Sequence, residues 1–294
     1  MNYKIQNIDL IEKNRIKSAI VNANNEVTLL SAKISSELNL IEPILIGNEQ
    51  EIRKICTQIK WDLTEVKIVN ALEEKESSKI ACQMASESKV GLLVKGHMHT
   101  DILMGEYIKS SYSLINKGEK LSHIWFMTIP SRREPLIITD GALNIKPSLQ
   151  TKKMILKNVI NFTNRIKNFE PYISVLSATE EVLPQMESSV DAKDLMEWAL
   201  KEIDPSLKIM GPLAFDNSIS NHAAKMKGID NQVAGNANIL LVPNIETGNS
   251  LVKMLVNFMD ATAGGFVTGS NIPVVITSRS DSLNSRLSSI SNAV

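Results

Sequence analysis

Short apolar runs alternate with longer amphipathic stretches along almost the whole chain. Residues 19–23, 43–47, 66–69 and 90–95 are apolar runs short enough for buried strands. Between them, 26–38, 49–59 and 72–88 carry apolar residues at helical spacing. Further along, 122–129, 135–139, 172–176, 238–242 and 273–277 read as strands. Helices are predicted at 149–168, at 191–202 with Asp191 as its cap, at 248–259, and beyond 278. Such alternation predicts βαβ units, hence an α/β fold with mostly parallel sheets and helices on both faces. Strands covered on both faces should be continuously apolar, as Gly91-Leu92-Leu93-Val94 is.

In open parallel sheets, ligands gather beyond the carboxyl ends of the strands. Four apolar runs end in polar segments: Lys95-Gly96-His97-Met98-His99-Thr100-Asp101, Thr139-Asp140-Gly141-Ala142-Leu143-Asn144, Pro243-Asn244-Ile245-Glu246-Thr247-Gly248-Asn249 and Thr277-Ser278-Arg279-Ser280-Asp281-Ser282. Ser278-Arg279 is the sharpest local signal. A hydroxyl there can polarise a carbonyl, and a guanidinium fork matches a phosphate. The same dipeptide also reads as a helix start, with Ser278 as cap and Arg279 in solvent. Asp281 suits a base or the first turn of the last helix. His97 and His99 form an HxH pair, but no third ligand stands near, so a metal site is not expected. His123 and His222 have no visible triad partners, and no G-x-S-x-G elbow is present. Gly248, Gly264, Gly265 and Gly269 fit close backbone approach to a ligand, or tight turns and helix packing.

Composition narrows the class. The 294 residues suffice for one large α/β domain or two smaller ones. Hydrophobic residues are 43% and aromatics 4%, so the core is built mainly from Ile, Leu, Val, Ala and Met. Lys plus Arg (32) balances Asp plus Glu (32), which argues against nucleic-acid or membrane partners but leaves room for a local basic pocket. Cys56 and Cys82 lack CxxC spacing, so neither a disulfide framework nor a zinc cluster is expected. The first residues do not resemble a signal peptide, and no apolar run approaches the ~20 residues that span a bilayer. A cytoplasmic location is therefore expected. G-x-x-x-x-G-K-[ST] and G-x-G-x-x-G are both absent, which disfavours an ATPase or a conventional nicotinamide dehydrogenase.

Taken as a set, several segments resemble the phosphate acetyltransferase and phosphate butyryltransferase family. They include Leu121-Ser122-His123, Ile138-Thr139-Asp140-Gly141-Ala142-Leu143-Asn144-Ile145-Lys146-Pro147, Leu176-Ser177-Ala178-Thr179-Glu180 and Gly211-Pro212-Leu213-Ala214-Phe215-Asp216-Asn217-Ser218-Ile219-Ser220. The C-terminal third adds Val233-Ala234-Gly235, Leu241-Val242-Pro243-Asn244-Ile245-Glu246-Thr247-Gly248-Asn249, Lys253 and Pro273-Val274-Val275-Ile276-Thr277-Ser278-Arg279-Ser280-Asp281-Ser282. Lys95-Gly96-His97-Met98-His99-Thr100-Asp101-Ile102-Leu103-Met104 is similar to the transferase half of fused enoyl-CoA hydratase/phosphate acetyltransferase proteins. No hydratase activity is expected, because the transferase pattern consumes the chain.

The resemblance implies two α/β domains of the isocitrate/isopropylmalate dehydrogenase-like type, with the active site in the cleft between them. Domain I would be 1–138 with 268–294, and domain II 139–267. It implies reversible acetyl transfer between coenzyme A and inorganic phosphate, with coenzyme A as substrate, no permanently bound cofactor, no metal, and a homodimer. Ser278 would hydrogen-bond near the sulfur or carbonyl, Arg279 would bind phosphate and steady the oxyanion, and Asp281 is the candidate base. Lys95, Gly96, Thr100, Asp140, Asn144, Asp216, Asn217, Asn249 and Lys253 are the substrate-binding candidates. The sequence departs from the family where Ser285 replaces an Asp seven residues after Ser278, where Lys117-Gly118-Glu119-Lys120 replaces arginines, and where Asn238 replaces a common Asp. Competing readings are a phosphate butyryltransferase, a metal-dependent dehydrogenase on the same fold, and a non-catalytic coenzyme A or acyl-phosphate binding protein.

Overall fold

In the computed structural model, which describes residues 15–277 and 281–294, the N-terminal apolar runs pair side by side. β1 (Ile16–Val21) lies between β2 (Ile41–Gly47) and β4 (Leu92–Lys95), parallel to both, with Ile20 opposite Leu45 and Val94. β3 (Lys67–Asn70) extends this sheet beyond β2, and β11 (Val274–Val275) adds in parallel beside β4. β10 (Thr262–Thr268) then pairs antiparallel with β11. Ser18, Ala19, Ile20 and Val21 are all fully buried. Successive strand residues point to opposite faces, so both faces of β1 are covered. The covering helices are α1 (Glu26–Glu37), α2 (Glu49–Gln58), α3 (Glu74–Ser86), α4 (Thr100–Tyr107) and α10 (Leu283–Ala293). Asn25 starts α1 by accepting from Thr28 N, and Asn48 starts α2 by accepting from Gln50 N and Glu51 N.

Five further strands have the order β5 (Ser122–Thr128), β6 (Leu136–Thr139), β9 (Ile239–Leu241), β7 (Ile173–Leu176), β8 (Ile209–Leu213). β5 runs antiparallel to β6, and the other neighbours are parallel. With them go α5 (Leu149–Thr163), α6 (Glu187–Glu202), α7 (Phe215–Ile219), α8 (Asn221–Met226) and α9 (Ile245–Phe258). Their core gathers Ile138, Leu176, Leu213, Leu240, Val252 and Leu255. The chain divides into two compact units, residues up to 119 with those from 264 onward, and residues 120–263. Residues 120–138, which the sequence reading assigned to domain I, fall in the second unit because β5 and β6 pair with each other. Among the described residues no helix is long and apolar enough to cross a membrane.

Several local expectations change. Asp191 is not a cap: α6 begins at Glu187, and Asp191 lies inside it, bound to Lys152 of α5. The helix predicted at 149–168 stops at Thr163. β8 and β10 escape the pattern: Gly211-Pro212 breaks the first apolar run, and Gly264-Gly265 fits a tight turn. In β10 the glycine serves packing instead. A Cβ on Gly264 would collide with Ser288 Oγ and come within 2.5 Å of Asn292 Nδ2, so only glycine lets α10 lie this close.

The Lys152–Asp191 pair is short, 2.7 Å, and its side chains are 6% and 16% exposed. Removing one partner strands the other charge away from water, so Asp191→Asn should lose about 3 kcal/mol. A Lys152→Met/Asp191→Leu double variant should recover most of that loss. Urea midpoints at unchanged m-value test this, and an unmoved midpoint in Asp191→Asn refutes it.

Candidate functional site

Asp140 follows β6 directly and is 2% exposed. A buried carboxylate needs donors, and the next loop supplies them. Asp140 Oδ1 accepts from Ala142 N at 3.0 Å and Leu143 N at 2.9 Å. Oδ2 accepts from Asn144 N at 3.3 Å and from Asn144 Nδ2 at 2.6 Å. Asn144 Nδ2 also donates to Leu121 O at 2.9 Å, tying the start of β5 to the same loop. Asp140 and Asn144 are thus bound to one another, and both carboxylate oxygens are occupied within the loop.

This loop rests on the first turn of α9. A Cβ on Gly141 would lie 2.8 Å from the carbonyl carbon of Gly248, so the two backbones touch where neither residue has a side chain. Ile245 N donates to Ile145 O at 3.0 Å. Asn244 starts the helix, accepting from Thr247 N at 3.0 Å and Thr247 Oγ1 at 2.8 Å. Asn249, next to the glycine contact, and Lys253, one turn further on the same face, are both exposed. The structure therefore brings Asp140, Asn144 and Asn249 together, with Lys253 beyond.

Asp216 and Asn217 lie past the end of β8, three strand positions from β6 and so roughly 14 Å away across the sheet. Asp216 is exposed and accepts from Asn217 N at 2.9 Å. Asn217 is fully buried. Its Nδ2 donates to Glu180 Oε2 at 3.1 Å, and its carbonyl accepts from Gly235 N at 2.7 Å. Glu180 Oε2 also receives Lys227 Nζ at 3.0 Å. That hydrogen bond holds the Glu180 carboxyl below and the Lys227 ammonium above their ordinary pKa values.

In the first unit, Lys95 ends β4 with 3% exposure, and its Nζ donates to Met98 O at 3.0 Å. Gly96 N donates to Val21 O at 2.8 Å and His97 N to Asn22 O at 3.0 Å, locking this strand end under that of β1. Thr100 is exposed as the first residue of α4. His97 Nδ1 sits 3.5 Å from Asn25 Nδ2, and His99 N donates to Glu74 Oε2 at 3.1 Å. Among the described residues no three His, Cys, Asp or Glu side chains gather as a metal site would require.

Ser278 and Arg279 lie outside the described residues. The last helix is capped by Ser282, which accepts from Ser285 N at 3.2 Å, rather than by Ser278. Asp281 is half-buried and precedes that cap, so it lies before the first turn. The sequence reading passed over Arg286. It is 6% exposed, and its Nη1 donates to Thr277 Oγ1 at 2.8 Å. Burial lowers its pKa, while the Asp281 carboxylate pulls the other way. The available signal was a lone charged residue in the otherwise uncharged helix LNSRLSSISNA.

His123 was also undervalued. Its carbonyl accepts from Thr139 Oγ1 at 3.0 Å, and its buried ring stacks 4.5 Å from Trp125. Burial pushes its pKa from the ordinary 6.5 down to about 4, although the Asp140 charge acts upward. Between those values the unfolded chain binds a proton that the folded imidazole refuses. This contribution to stability is complete above 6.5 and is lost as the pH falls toward 4. His123→Gln should flatten the pH dependence of the urea midpoint in that window. Parallel curves for variant and wild type would contradict the burial argument.

A family model described as phosphate acetyl/butaryl transferase matches residues 73–293. A phosphate acetyltransferase of Rhizobium meliloti is 38% identical over 265 residues, 90% of this chain and 84% of its own. A protein named probable phosphate butyryltransferase from Bacillus subtilis is 33% identical over 290 residues, 97% of this chain and 96% of its own. The solved structure of a branched-chain phosphotransacylase from Enterococcus faecalis V583 matches with a TM-score of 0.79 at 28% identity, covering 94% of this chain and 97% of that one. With the family model spanning most of its length, the chain belongs to the phosphate acetyl/butaryl transferase family.

Proposed function

We propose that this protein is a phosphate acetyltransferase, moving an acetyl group reversibly between coenzyme A and inorganic phosphate. The family match over residues 73–293 carries the reading, and the 38% identity to the Rhizobium meliloti acetyltransferase favours acetyl. Phosphate butyryltransferase is the second reading, favoured by the nearly full-length match to the Bacillus subtilis protein.

In a ternary complex, a phosphate oxygen attacks the thioester carbonyl carbon. The tetrahedral oxyanion collapses, the C–S bond breaks, and coenzyme A leaves as its thiolate. Catalysis then consists of holding two anionic substrates together and stabilising the developing charge. Arg279 binds phosphate and the oxyanion, and Ser278 hydrogen-bonds at the carbonyl or sulfur. In the reverse direction, Asp281 takes the proton of the coenzyme A thiol. Thr100, Asp216, Asn249 and Lys253 are exposed and meet substrate directly. Lys95, Gly96, Asp140, Asn144 and Asn217 act chiefly by holding the backbone that presents those contacts. The scheme calls for no metal and no resident cofactor. An active site between two domains, a cytoplasmic location and a homodimer are parts of this proposal. The exposed Met254 and Phe258 of α9, with Met259 just after it, support the last.

Thiol release from acetyl-CoA and butyryl-CoA, measured with and without phosphate, tests the reading. Phosphate-dependent release that is faster with acetyl-CoA and lost in Arg279→Ala is expected. Faster butyryl turnover would transfer the assignment to the second reading. Coenzyme A binding without turnover of either thioester would sink both.

A further inference from the structure

A primary amide taken out of water is unfavourable unless its polar atoms find partners. Asn217 is such an amide, at 0% exposure, and its Oδ1 has no hydrogen-bond partner among the described residues. Its side chain therefore depends on one bond, from Nδ2 to Glu180 Oε2 at 3.1 Å. Its backbone is fixed as well: the carbonyl accepts from Gly235 N at 2.7 Å, and the neighbouring Ser218 O accepts from Ala237 N at 2.9 Å. Gly235 has φ +82°, and a Cβ there would lie 2.5 Å from Asn221 Cα, so only glycine brings that N–H so close. Held by side chain and carbonyl together, Asn217 directs its own N–H to Asp216 Oδ1 at 2.9 Å. A chain of contacts thus runs from Glu180, past the end of β7, to the exposed carboxylate at Asp216, wholly inside the second unit.

A carboxylate accepts hydrogen bonds and cannot donate them. Inorganic phosphate brings it like charge, whereas coenzyme A carries amide N–H groups, hydroxyls and an amino group. Glu180 would add a second negative charge nearby, but Lys227 Nζ meets the same Oε2 at 3.0 Å and offsets it. We propose that Glu180 is a positioning residue for coenzyme A: through the buried amide of Asn217 it aims Asp216 at the N–H and O–H donors of that substrate. The proposal rests on the transferase reading above. Glu180 touches neither substrate, so its loss appears in coenzyme A affinity rather than in turnover or in the use of phosphate.

The test measures the coenzyme A dissociation constant by calorimetry, and kcat with both KM values from phosphate-dependent thiol release. The proteins are wild type, Glu180→Ala, Glu180→Gln, Asp216→Ala and the double variant Glu180→Ala/Asp216→Ala. A hydrogen bond to a charged group is worth about tenfold or more in binding. Glu180→Ala and Asp216→Ala should each weaken coenzyme A binding and raise the thioester KM about tenfold, with kcat and phosphate KM within about threefold of wild type. The double variant should also be about tenfold weaker, not about a hundredfold, because the first residue acts only through the second. Glu180→Gln keeps an acceptor for Asn217 Nδ2 and should bind within about threefold of wild type. Melting curves establish that each variant is folded. If Glu180→Ala does not fold, Asn217→Ala, which removes the buried amide rather than stranding it, takes its place in the cycle. Additive losses overturn the proposal, as do unchanged affinity in folded Glu180→Ala, equal losses in Glu180→Gln and Glu180→Ala, or a rise confined to the phosphate KM. Any of these beside an active wild type leaves the transferase reading standing without this inference. A wild type that binds coenzyme A without turnover loses the transferase reading, and the binding cycle still decides this inference. A wild type that does not bind coenzyme A overturns both.

Discussion

A carboxylate taken out of water must be met by hydrogen-bond donors, and at Asp140 every donor comes from within a few residues or from its own loop partner. That requirement gives the polar segment after β6 a single conformation. It also fixes where the loop can lie, because the wrapped backbone at Gly141 fits against α9 only where Gly248 also lacks a side chain. Asn249 inherits its position from this contact, and Lys253 follows one turn along. The buried imidazole of His123 belongs to the same arrangement: its strand is bonded to β6 through Thr139, and burial keeps the ring neutral although the Asp140 charge acts upward.

The candidate residues consequently fall into two kinds. Some are buried and spend their polar atoms on the protein itself, as Asn217 does on Glu180 and Lys95 on Met98. Others, such as Asn249, Lys253 and Thr100, keep their side chains at the surface. The proposed reaction, which needs two anions held at a defined separation, assigns the first kind to setting geometry and the second to making contact. A formally neutral chain suits this division, since a few placed cations suffice where a general positive field would gather anions indiscriminately.

The strand–helix alternation was legible because parallel strands buried on both faces leave short apolar runs, such as Ala19–Val21 in β1, Pro43–Gly47 in β2 and Leu92–Val94 in β4. The polar strand ends were legible for the same reason. What the pattern concealed follows from tertiary contacts. Gly264 looks like a turn residue until α10 is seen lying on it, and Asp191 looks like a cap until Lys152 reaches it across the α5–α6 contact. The difference between Asp140 as a ligand contact and Asp140 as the organiser of its loop lies in hydrogen-bond partners that spacing does not reveal. Arg286 left one signal, its place as a lone charge in an uncharged helix, but its Thr277 partner comes from a strand end that the local pattern does not tie to it.

The first unit is discontinuous: β11 and α10 belong to it although 144 residues of the second unit, 120–263, are translated before them. Until β11 emerges from the ribosome, β4 has no partner on one side and presents an open row of backbone donors and acceptors. The second unit faces no such delay, since its strands are contiguous in the chain. Synthesis therefore imposes an order in which a continuous unit is complete while its predecessor waits. The segment carrying Ser278 and Arg279 arrives with the strand that closes the gap, so a truncated nascent chain lacks at once an inner strand of its first unit and the residues on which turnover is proposed to depend.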